Sequence, residues 1–490
     1  MDINDIEKIQ LTTSQEFVLK QLLSFINHPT DRVFILKGYA GTGKTTLMRF
    51  LIRQLESLGK NYQLLASTGR AAKILSNLSG NASASTIHSM VYDFNGLNKE
   101  LNEKEELKAD QYGQLFLVFE PTKLAPTDVS ETIYIIDEAS MVSDVVVKNV
   151  TQAKFGDGRL LQDLLQYDTR KGSKYIFVGD PCQLPPIEQY FSPALMKEYV
   201  QNTFGVVAQE AQLTKIMRQK GSNGIIDASK RIRILYAKAP DSNRQYGLQV
   251  VWGMLPFRNN KNIALHANVE EMLNHYVSKV QKDGLNSAVC ICRSNASCAD
   301  LSARIREKLG FARGCLQKGD LLMVTQNNML TGLMNGDVVM VEEISKNSVT
   351  RAHLTFRQVK VRELFTGNSY SSLMIEEIVN QSKPNLDKQQ QHALFLDFIY
   401  RMLDKGITAK NNRQAFYDMM FHDPYLNALR CVFGYAITCH KSQGGEWEDV
   451  YVHVPRNITK NPTKETYQWI YTSMTRAQKT LHMVDDFYIR

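Results

Sequence analysis

A glycine-rich loop between a short apolar run and a helical pattern constrains the fold of this chain more than any other feature. The apolar run is VFIL at residues 33–36, the loop reads GYAGTGKT at residues 38–45, and the helical pattern continues to about residue 58. Glycines let successive backbone N–H groups face inward as an anion-binding nest, and the positive end of the following helix points at the same place. The spacing GxxxxGK[ST] in this context therefore predicts a phosphate-binding α/β domain.

Further short apolar runs lie at residues 62–66, 133–136, 175–178 and 289–292. They do not alternate polar with apolar residues, which is typical of strands in a parallel sheet that helices cover on both faces. At ~150 residues per domain, a chain of 490 residues has room for roughly three domains. The sequence therefore predicts an α/β fold with two parallel-sheet layers, each carrying an insertion.

Two segments interrupt the strand–helix rhythm and are interpreted as insertions. The first, residues 89–131, is polar and then strand-like, with Gly113 at a turn position, which predicts a hairpin. The second, residues 319–430, begins with two strands around a Met-Asn-Gly turn, which predicts a small β-barrel-like part, and is mostly helical over residues 371–430. The remaining chain predicts a first α/β domain at 1–88 and 132–210 and a second at 211–318 and 431–490.

The net charge and the hydropathy pattern limit which partners and which cellular compartment are expected for this chain. The 58 Lys+Arg and 50 Asp+Glu leave a net charge of +8, which fits an ordinary basic enzyme as well as a protein that binds a polyanion. No apolar run approaches the ~18 residues that cross a bilayer, and the start MDINDIEKIQ has neither a secretory nor a transit-peptide pattern. We therefore expect a cytoplasmic protein with no membrane contact.

The cysteines indicate free thiols rather than disulfides. There are 7 of them, an odd number, in a chain without an export signal. Cys290, Cys292 and Cys298 lie close together but lack CxxC spacing and a second Cys/His pair. A buried strand with a following loop is the interpretation favoured over a metal site.

Two adjacent carboxylates follow the apolar run at 133–136. Because the carboxyl ends of parallel strands form the ligand-binding edge of a sheet, Asp137 and Glu138 are expected beside the glycine-rich loop. There Lys44 would contact the β/γ-phosphates of a nucleotide, and the Thr45 hydroxyl with Asp137 would hold Mg²⁺. Glu138 would polarise the attacking water.

Two arginines far along the chain are candidates for the positive charge that γ-phosphate hydrolysis draws from across a cleft. They are Arg218 in LTKIMRQ and Arg476 in YTSMTRAQK. Most arginines in a protein are solvated or paired with a carboxylate. Arg218 and Arg476 are therefore candidates only because of the sequence segments in which they stand.

In chain order, these segments resemble the signature motifs of superfamily 1 helicases, in particular the RecD/Dda-like branch. The nine segments, matching the Q motif and motifs I, Ia, Ib, II, III, IV, V and VI, are LTTSQ (11–15), GYAGTGKTT (38–46), ASTGRAAKIL (66–75), STIHSM (85–90), DEASM (137–141), VGDPCQLPPI (178–187), LTKIMRQ (213–219), YAITCHKSQGGEW (435–447) and YTSMTRAQ (471–478).

The resemblance implies two RecA-like domains that bind ATP and Mg²⁺ in the cleft between them. Gln15 would contact the adenine, and Asp180 and Gln183 would sense the γ-phosphate. The implied nucleotide-binding residues are Gln15, Gly38, Gly41, Thr42, Gly43, Lys44, Thr45, Thr46, Asp180 and Gly445. The implied catalytic residues are Lys44, Asp137, Glu138, Gln183, Arg218 and Arg476.

The resemblance also implies a single-stranded DNA track across both domains, with duplex or forked DNA as substrate. Short polar side chains suit phosphate contacts, which position a strand without reading its sequence. The implied residues are Ser67, Thr68, Gly69, Arg70, Thr86 and His88 in the first domain and Thr438, His440, Lys441 and Ser442 in the second. In related helicases a hairpin at the place of residues 89–131 splits the duplex.

The expected activity is therefore ATP-dependent unwinding of DNA with 5′-to-3′ translocation. After Gln183 the chain runs Leu-Pro-Pro-Ile with no aromatic residue until Tyr190, which favours this branch over 3′-to-5′ enzymes that stack bases there. An RNA-directed helicase and a nucleotide-binding subunit of a helicase–nuclease complex stay open as alternatives. No nuclease signature stands outside the motor motifs.

Overall fold

The computed structural model describes residues 10–79, 83–99, 115–124, 131–147, 150, 152–170, 172–215, 223–381 and 383–490. Its strands are β1 Val33–Gly38, β2 Asn61–Ala66, β3 Ala84–Thr86, β4 Tyr92–Leu97, β5 Leu117–Pro121, β6 Thr132–Asp137, β7 Ala153–Phe155, β8 Lys174–Gly179, β9 Ala208–Leu213, β10 Ile263–His266, β11 Ala288–Cys292, β12 Leu321–Val324, β13 Val338–Arg351, β14 Leu354–Glu363, β15 Ser369–Ile375, β16 Cys431–Phe433, β17 Ala436–Thr438, β18 Trp447–Val452 and β19 Ala477–Val484.

The α-helices of the described residues connect these strands. They are α1 Thr13–Asn27, α2 Lys44–Ser57, α3 Gly69–Ser79, α4 Ile87–Val91, α5 Leu160–Tyr167, α6 Lys197–Phe204, α7 Gly224–Lys238, α8 Val269–Asp283, α9 Asn295–Lys308, α10 Glu376–Gln381, α11 Lys388–Asp404, α12 Arg413–Phe421, α13 Cys439–Ser442, α14 Arg456–Thr459 and α15 Lys464–Met474.

The first domain is built on a six-stranded sheet in the order β3-β2-β6-β8-β1-β9. Every pairing in this sheet is parallel. Its central runs are buried on both faces, because helices such as α1 and α2 cover one side and α5 and α6 the other. Strand β9 continues to Leu213, so the sheet extends three residues past the boundary expected at residue 210.

The second domain has a five-stranded parallel sheet in the order β10-β19-β18-β11-β17. Its core combines the apolar runs of β11 and β18 with the inner face of α15. The predicted α/β fold with two parallel sheets flanked by helices is therefore confirmed. Cys290 and Cys292 are buried free thiols of β11, as expected for a strand.

The segment between β12 and β16 forms an antiparallel sheet in the order β15-β14-β13-β12-β16. The two strands expected around the Met-Asn-Gly turn are β12 and β13. Strand β15 occupies the start of the stretch expected to be helical, and helices α10 to α12 occupy most of the rest. Strand β16 joins this sheet, whereas β17 joins the parallel sheet, so the chain crosses between sheets at Gly434-Tyr435.

The predicted hairpin exists at its base, where β4 and β5 pair antiparallel. A third strand, β7, adds to β5 in parallel and was not predicted. The base packs against helix α12: the ring centroid of Phe94 lies 4.7 Å from that of Phe421, and the Leu97 N–H donates to the Tyr417 hydroxyl at 3.2 Å. The predicted turn at Gly113 lies outside the described residues.

Among the described helices, none combines the length and the apolar character that a membrane crossing requires.

Candidate functional site

The glycine-rich loop joins β1 to the first turn of α2. Gly41 and Gly43 have φ angles of 77° and 79°, a left-handed conformation that glycine adopts without strain. A side chain at Gly38 would place its Cβ 2.8 Å from the Thr42 Oγ1 atom. The loop can therefore curl closely around its own centre only because glycine stands at these places.

Lys44 is the charged side chain of this loop. Its Nζ donates to the carbonyl oxygens of Gly38 at 2.7 Å and Tyr39 at 3.3 Å. The Thr42 side chain is buried and donates to the same Tyr39 carbonyl at 2.8 Å. The ammonium therefore lies within the concave side of the loop, where a polyphosphate would meet it.

The two predicted carboxylates end strand β6. Asp137 Oδ1 accepts the Glu138 N–H at 2.9 Å, and Glu138 has a φ of 50°, which turns the chain sharply at this edge. Burial raises the pKa of both carboxyls, while the charge of Lys44 acts in the opposite direction. The exposed Thr45 hydroxyl and the Asp137 carboxylate offer the hard oxygen ligands that Mg²⁺ takes, so the donor set fits that ion.

Asp180 connects the glycine-rich loop to the second domain. It is fully buried, and burial raises the pKa of its carboxyl. Its Oδ1 accepts the Cys182 N–H at 3.0 Å, and its Oδ2 accepts the hydroxyl of Tyr471, on helix α15, at 2.8 Å. The same Tyr471 hydroxyl accepts the backbone N–H of Ala40 in the loop at 3.0 Å. One phenol thus ties the loop, Asp180 and the second domain together.

Gln183 and Leu184, which follow Asp180 in the chain, are hydrogen-bonded to the second domain. The Leu184 N–H donates to the Thr472 hydroxyl at 2.9 Å. The amides of Gln468 and Gln443 donate to the carbonyls of Gln183 and Leu184 at 3.2 and 3.1 Å. A shift of either domain therefore has to move or break this set of bonds.

Arg476 lies directly after helix α15 and is 4% exposed. Its guanidinium donates to the carbonyls of Thr472 at 3.1 Å and Gly445 at 3.4 Å. Its charge opposes the burial-driven rise in the pKa of both Glu138 and Asp180. The structure thus brings this predicted arginine to the carboxylates across the cleft, while Arg218 lies outside the described residues.

Gln15 is 3% exposed and contacts the loop from helix α1. Its amide donates to the carbonyls of Thr42 at 3.4 Å and Gly43 at 3.3 Å, and its Oε1 accepts the Thr12 N–H at 3.0 Å. In this arrangement Gln15 braces the loop from behind. Its predicted contact with adenine stays a prediction.

The predicted DNA-contacting residues of the first domain meet the second domain and its insertion. A Cβ at Gly69 would lie 2.2 Å from the sulfur of Met334. The Arg70 guanidinium stacks over the Trp447 ring at 4.7 Å. Lys73, one turn further along α3, pairs with Asp337 at 2.5 Å and with Glu363. These contacts fasten α3 to the antiparallel sheet and to β18.

The other predicted first-domain residues take part in local structure. The Thr68 Oγ1 accepts the Ala71 N–H at 3.2 Å, and the Thr86 Oγ1 accepts the Ser89 N–H at 3.1 Å, so both threonines cap helix starts. The buried Ser67 Oγ has no hydrogen-bond partner among the described residues. His88 packs edge-on against Phe155 at 5.1 Å, and burial lowers its pKa to about 4.

The DNA-contacting residues predicted in the second domain lie in helix α13 or directly before it. Thr438 precedes it, and burial lowers the pKa of both His440 and Lys441 within it. Ser442 is fully buried, and its hydroxyl donates to the Cys439 carbonyl at 2.7 Å. Its side chain therefore holds the motif together, and the structure does not bring it to the surface.

Three residues at the cleft were not found from the sequence. Tyr471 and Trp447 each lie within a sequence motif in which other residues carry the predicted roles. Arg233 on helix α7 stacks 3.7 Å above the ring of Tyr39 in the glycine-rich loop. Each acts through a partner more than 170 residues away in the chain, so no local pattern marks it.

Replacing Tyr471 with phenylalanine is expected to loosen the connection between the loop and Asp180. The ring stays, but the buried Asp180 carboxylate loses a hydroxyl donor and the Ala40 N–H loses its acceptor, at a cost of about 1–3 kcal/mol. If the protein has the DNA-stimulated ATPase activity expected from its sequence, that rate should fall by roughly 10-fold with little change in ATP affinity. Tyr467→Phe, one turn earlier on α15 and beside Gly253, is the matched control. Equal ATPase rates in the two variants would contradict the bridging role.

Comparison with known proteins shows to which family this chain belongs. Residues 10–239 match the family described as AAA domain, and residues 433–484 match the UvrD-like helicase C-terminal domain. The ATP-dependent DNA helicase dda of Enterobacteria phage T4 is 31% identical over 508 residues, which is 98% of this chain and 99% of that protein. The chain belongs to the Dda family of superfamily 1 helicases. The predicted RecD/Dda-like resemblance is thereby confirmed.

Two further similarities cover nearly the whole chain. The ATP-dependent RecD2 DNA helicase of Deinococcus radiodurans is 24% identical over 96% of this chain, and the chain spans 48% of its length. The crystal structure of the Pif1 helicase from Candida albicans covers 98% of this chain and 95% of its own, with 16% identity and a TM-score of 0.48.

Proposed function

We propose that this Dda-family protein is an ATP-dependent DNA helicase that translocates 5′ to 3′ on single-stranded DNA and unwinds duplex ahead of it. The observation that carries the proposal is the bond set from the glycine-rich loop through Asp180 to helix α15. Because each end of this set belongs to a different parallel-sheet domain, occupancy of the nucleotide site and the relative position of the domains are linked. A protein that converts ATP hydrolysis into movement along DNA requires such linkage.

The nucleotide chemistry follows from the positions of the charged groups. The loop N–H groups and Lys44 would hold the phosphates, with Arg476 facing them from the second domain. Mg²⁺ held by Thr45 and Asp137 would neutralise the charge that develops on the phosphate oxygens. Glu138, the next residue after Asp137 at the same sheet edge, would accept a proton from the attacking water.

The DNA track would run over the first turns of α3 and α4 and over α13. The DNA-contacting residues of the first domain and those of the second would hold the strand in alternation as the cleft closes. This alternation would move the protein along one strand. Phosphate contacts of this kind make binding salt-dependent, with a log–log slope of about 0.7 per phosphate on single strands.

A strand-displacement assay on two duplexes that differ only in the side of their single-stranded tail tests the proposal. With ATP and Mg²⁺, we expect unwinding of the 5′-tailed DNA duplex and none of the 3′-tailed one. An RNA tail of the same sequence shows whether the track requires 2′-hydroxyls. Unwinding only from the 3′ tail would overturn the polarity, and binding of ATP without turnover in the presence of DNA would favour a nucleotide-binding subunit.

The hairpin that begins at β4 and returns at β5 is proposed to split base pairs. Its base is held by Phe94, Leu97 and Leu115, which share an apolar cluster with helices α11 and α12. Shortening residues 110–113, at the expected tip outside the described residues, should leave DNA-stimulated ATPase nearly intact and reduce unwinding about 10-fold or more. Both rates are measured on one preparation. If both fall together, the segment belongs to the folded core; if both survive, another element splits the duplex.

A further inference from the structure

Three histidines of the second domain lie on one face of its parallel sheet, at positions outside the helicase motifs. His482 in β19 stands opposite Ala264 of β10 on one side and Tyr451 of β18 on the other. His266, two residues beyond Ala264, points to the same side of the sheet. His275 reaches this side from helix α8, which covers it.

The ring nitrogens of these histidines converge. His266 Nε2 lies 3.1 Å from His482 Nδ1, and one nitrogen of each of the three rings lies within 4.8 Å of the others. A tetrahedral zinc ion with Zn–N bonds of 2.0–2.1 Å holds two ligand nitrogens about 3.3 Å apart. Among the described residues this is the one group of three or more His, Cys, Asp or Glu side chains arranged so closely.

The far nitrogen of His482 faces a carboxylate. Its Nε2 is buried, lacks a hydrogen-bond partner within the described part of the chain, and lies 3.7 Å from Asp449 Oδ2. Lys279 lies 3.6 Å from the same Asp449 oxygen, and Tyr451 stacks flat on the His482 ring at 4.2 Å. Metal-binding histidines commonly direct their second N–H to such a carboxylate, which fixes the ring and makes the ligating nitrogen more basic.

The other two rings also have an oxygen near one ring nitrogen. His266 Nδ1 lies 3.9 Å from Glu271 Oε1, and His275 Nδ1 is 2.7 Å from the Tyr451 hydroxyl. Each imidazole thus has one nitrogen near an oxygen; the other nitrogens of His266 and His482 lie at hydrogen-bond distance from each other, and a bound ion would replace that contact. His275 is exposed, so an ion has a path from solvent.

The surroundings of His482 and His266 favour the neutral form of both imidazole rings. Burial, together with the neighbouring His275 and His266, lowers the pKa of His482 to about 3. Burial and the charge of His275 also lower the pKa of His266. Neutral imidazole is the form that binds metal, so at neutral pH no proton has to leave these two rings before an ion enters.

We propose that His266, His275 and His482 bind one divalent transition-metal ion, best fitted by Zn²⁺, with solvent in the fourth position. The ion joins the edge strand β10 to β19 and to helix α8, so its role is to stabilise the second domain. Strand β19 starts at Ala477, next to Arg476, and the ion therefore also steadies the strand that follows this arginine.

Metal titration of the full-length chain tests this proposal without reference to helicase activity. After removal of metal with a chelator and dialysis, calorimetric titration with ZnCl₂ is expected to show one equivalent bound with Kd at or below about 1 µM. Co²⁺ in place of Zn²⁺ should give the visible absorption of a four-coordinate site. Saturating Zn²⁺ should raise the Tm by about 5 °C.

The variants separate this site from other metal-binding groups. His275→Gln, at an exposed helix position that leaves the core intact, should weaken Zn²⁺ binding by at least 100-fold, and Asp449→Asn by about 10–100-fold. His422→Gln, an exposed histidine elsewhere, is the matched control and should bind as the unsubstituted chain does. Absence of stoichiometric binding, or binding that survives in His275→Gln but is lost when the exposed thiol Cys315 is replaced by serine, would overturn the proposal.

Discussion

Replacing Lys44 with alanine is expected to abolish ATP hydrolysis and to leave the protein folded. The ammonium lies inside the loop on the carbonyls of Gly38 and Tyr39, and the loop backbone is shaped by glycines rather than by this side chain. Without Lys44 the β/γ-phosphates lose a charge-assisted donor that strengthens as negative charge shifts in the transition state. The DNA-stimulated kcat should fall roughly 100-fold or more, measured by phosphate release at saturating ATP.

The control for this variant is Lys37→Ala in the preceding strand. Lys37 pairs with Glu210 at 2.8 Å near the surface, and an exposed pair of this kind contributes only about 0–1 kcal/mol. Thermal unfolding of both variants shows whether the fold is retained. A Lys44→Ala protein that hydrolyses ATP as fast as Lys37→Ala would remove this lysine from the mechanism.

Replacing Arg476 with alanine is expected to reduce hydrolysis by about 1,000-fold while nucleotide binding changes much less. The guanidinium lies across the cleft from the loop, in electrostatic reach of Glu138 and Asp180. Positive charge supplied in this way acts mainly on the charge that develops during phosphoryl transfer, so kcat falls more than KM rises. Single-turnover hydrolysis and equilibrium binding of a fluorescent ATP analogue separate the two effects.

Arg476 also donates to the carbonyls of Thr472 and Gly445, so a structural contribution has to be measured separately. Arg476→Lys retains the charge but not the forked geometry and should recover only part of the rate. Arg456→Ala, an exposed arginine paired with Asp486, is the matched control. If nucleotide affinity and Tm fall together with the rate in Arg476→Ala, this residue supports the fold rather than the transition state.

The central parallel strands β1, β6, β8 and β11 were predictable because each is a short apolar run that the sheet buries on both faces. The runs at 133–136 and 175–178 lie within β6 and β8, and the loop at 38–45 follows β1 as its spacing required. Asp137 and Glu138 were expected beside the loop for a topological reason, since parallel strands end at one edge. Strand β7 was missed because its three residues carry no pattern of their own and pair only with β5.

The roles of buried polar side chains were less predictable. Gln15 and Ser442 were assigned ligand contacts from their motifs, and these contacts stay predictions; in this structure their polar groups bond to backbone carbonyls of motif residues. A motif records which residue types stand together but not which of them face the cleft. That choice depends on backbone direction and on what packs above the motif, such as Met334 over Gly69.

The amino-acid sequence by itself determined the two parallel sheets, the phosphate-binding loop and the order of the chemical motifs, because each depends on periodicity or spacing within some ten residues. Only the tertiary structure decided that Tyr471 joins Ala40 to Asp180, and that His266, His275 and His482 share one face. These contacts join residues up to 431 positions apart, as for Ala40 and Tyr471. Their geometry is set by strand register and helix packing, which no local pattern encodes.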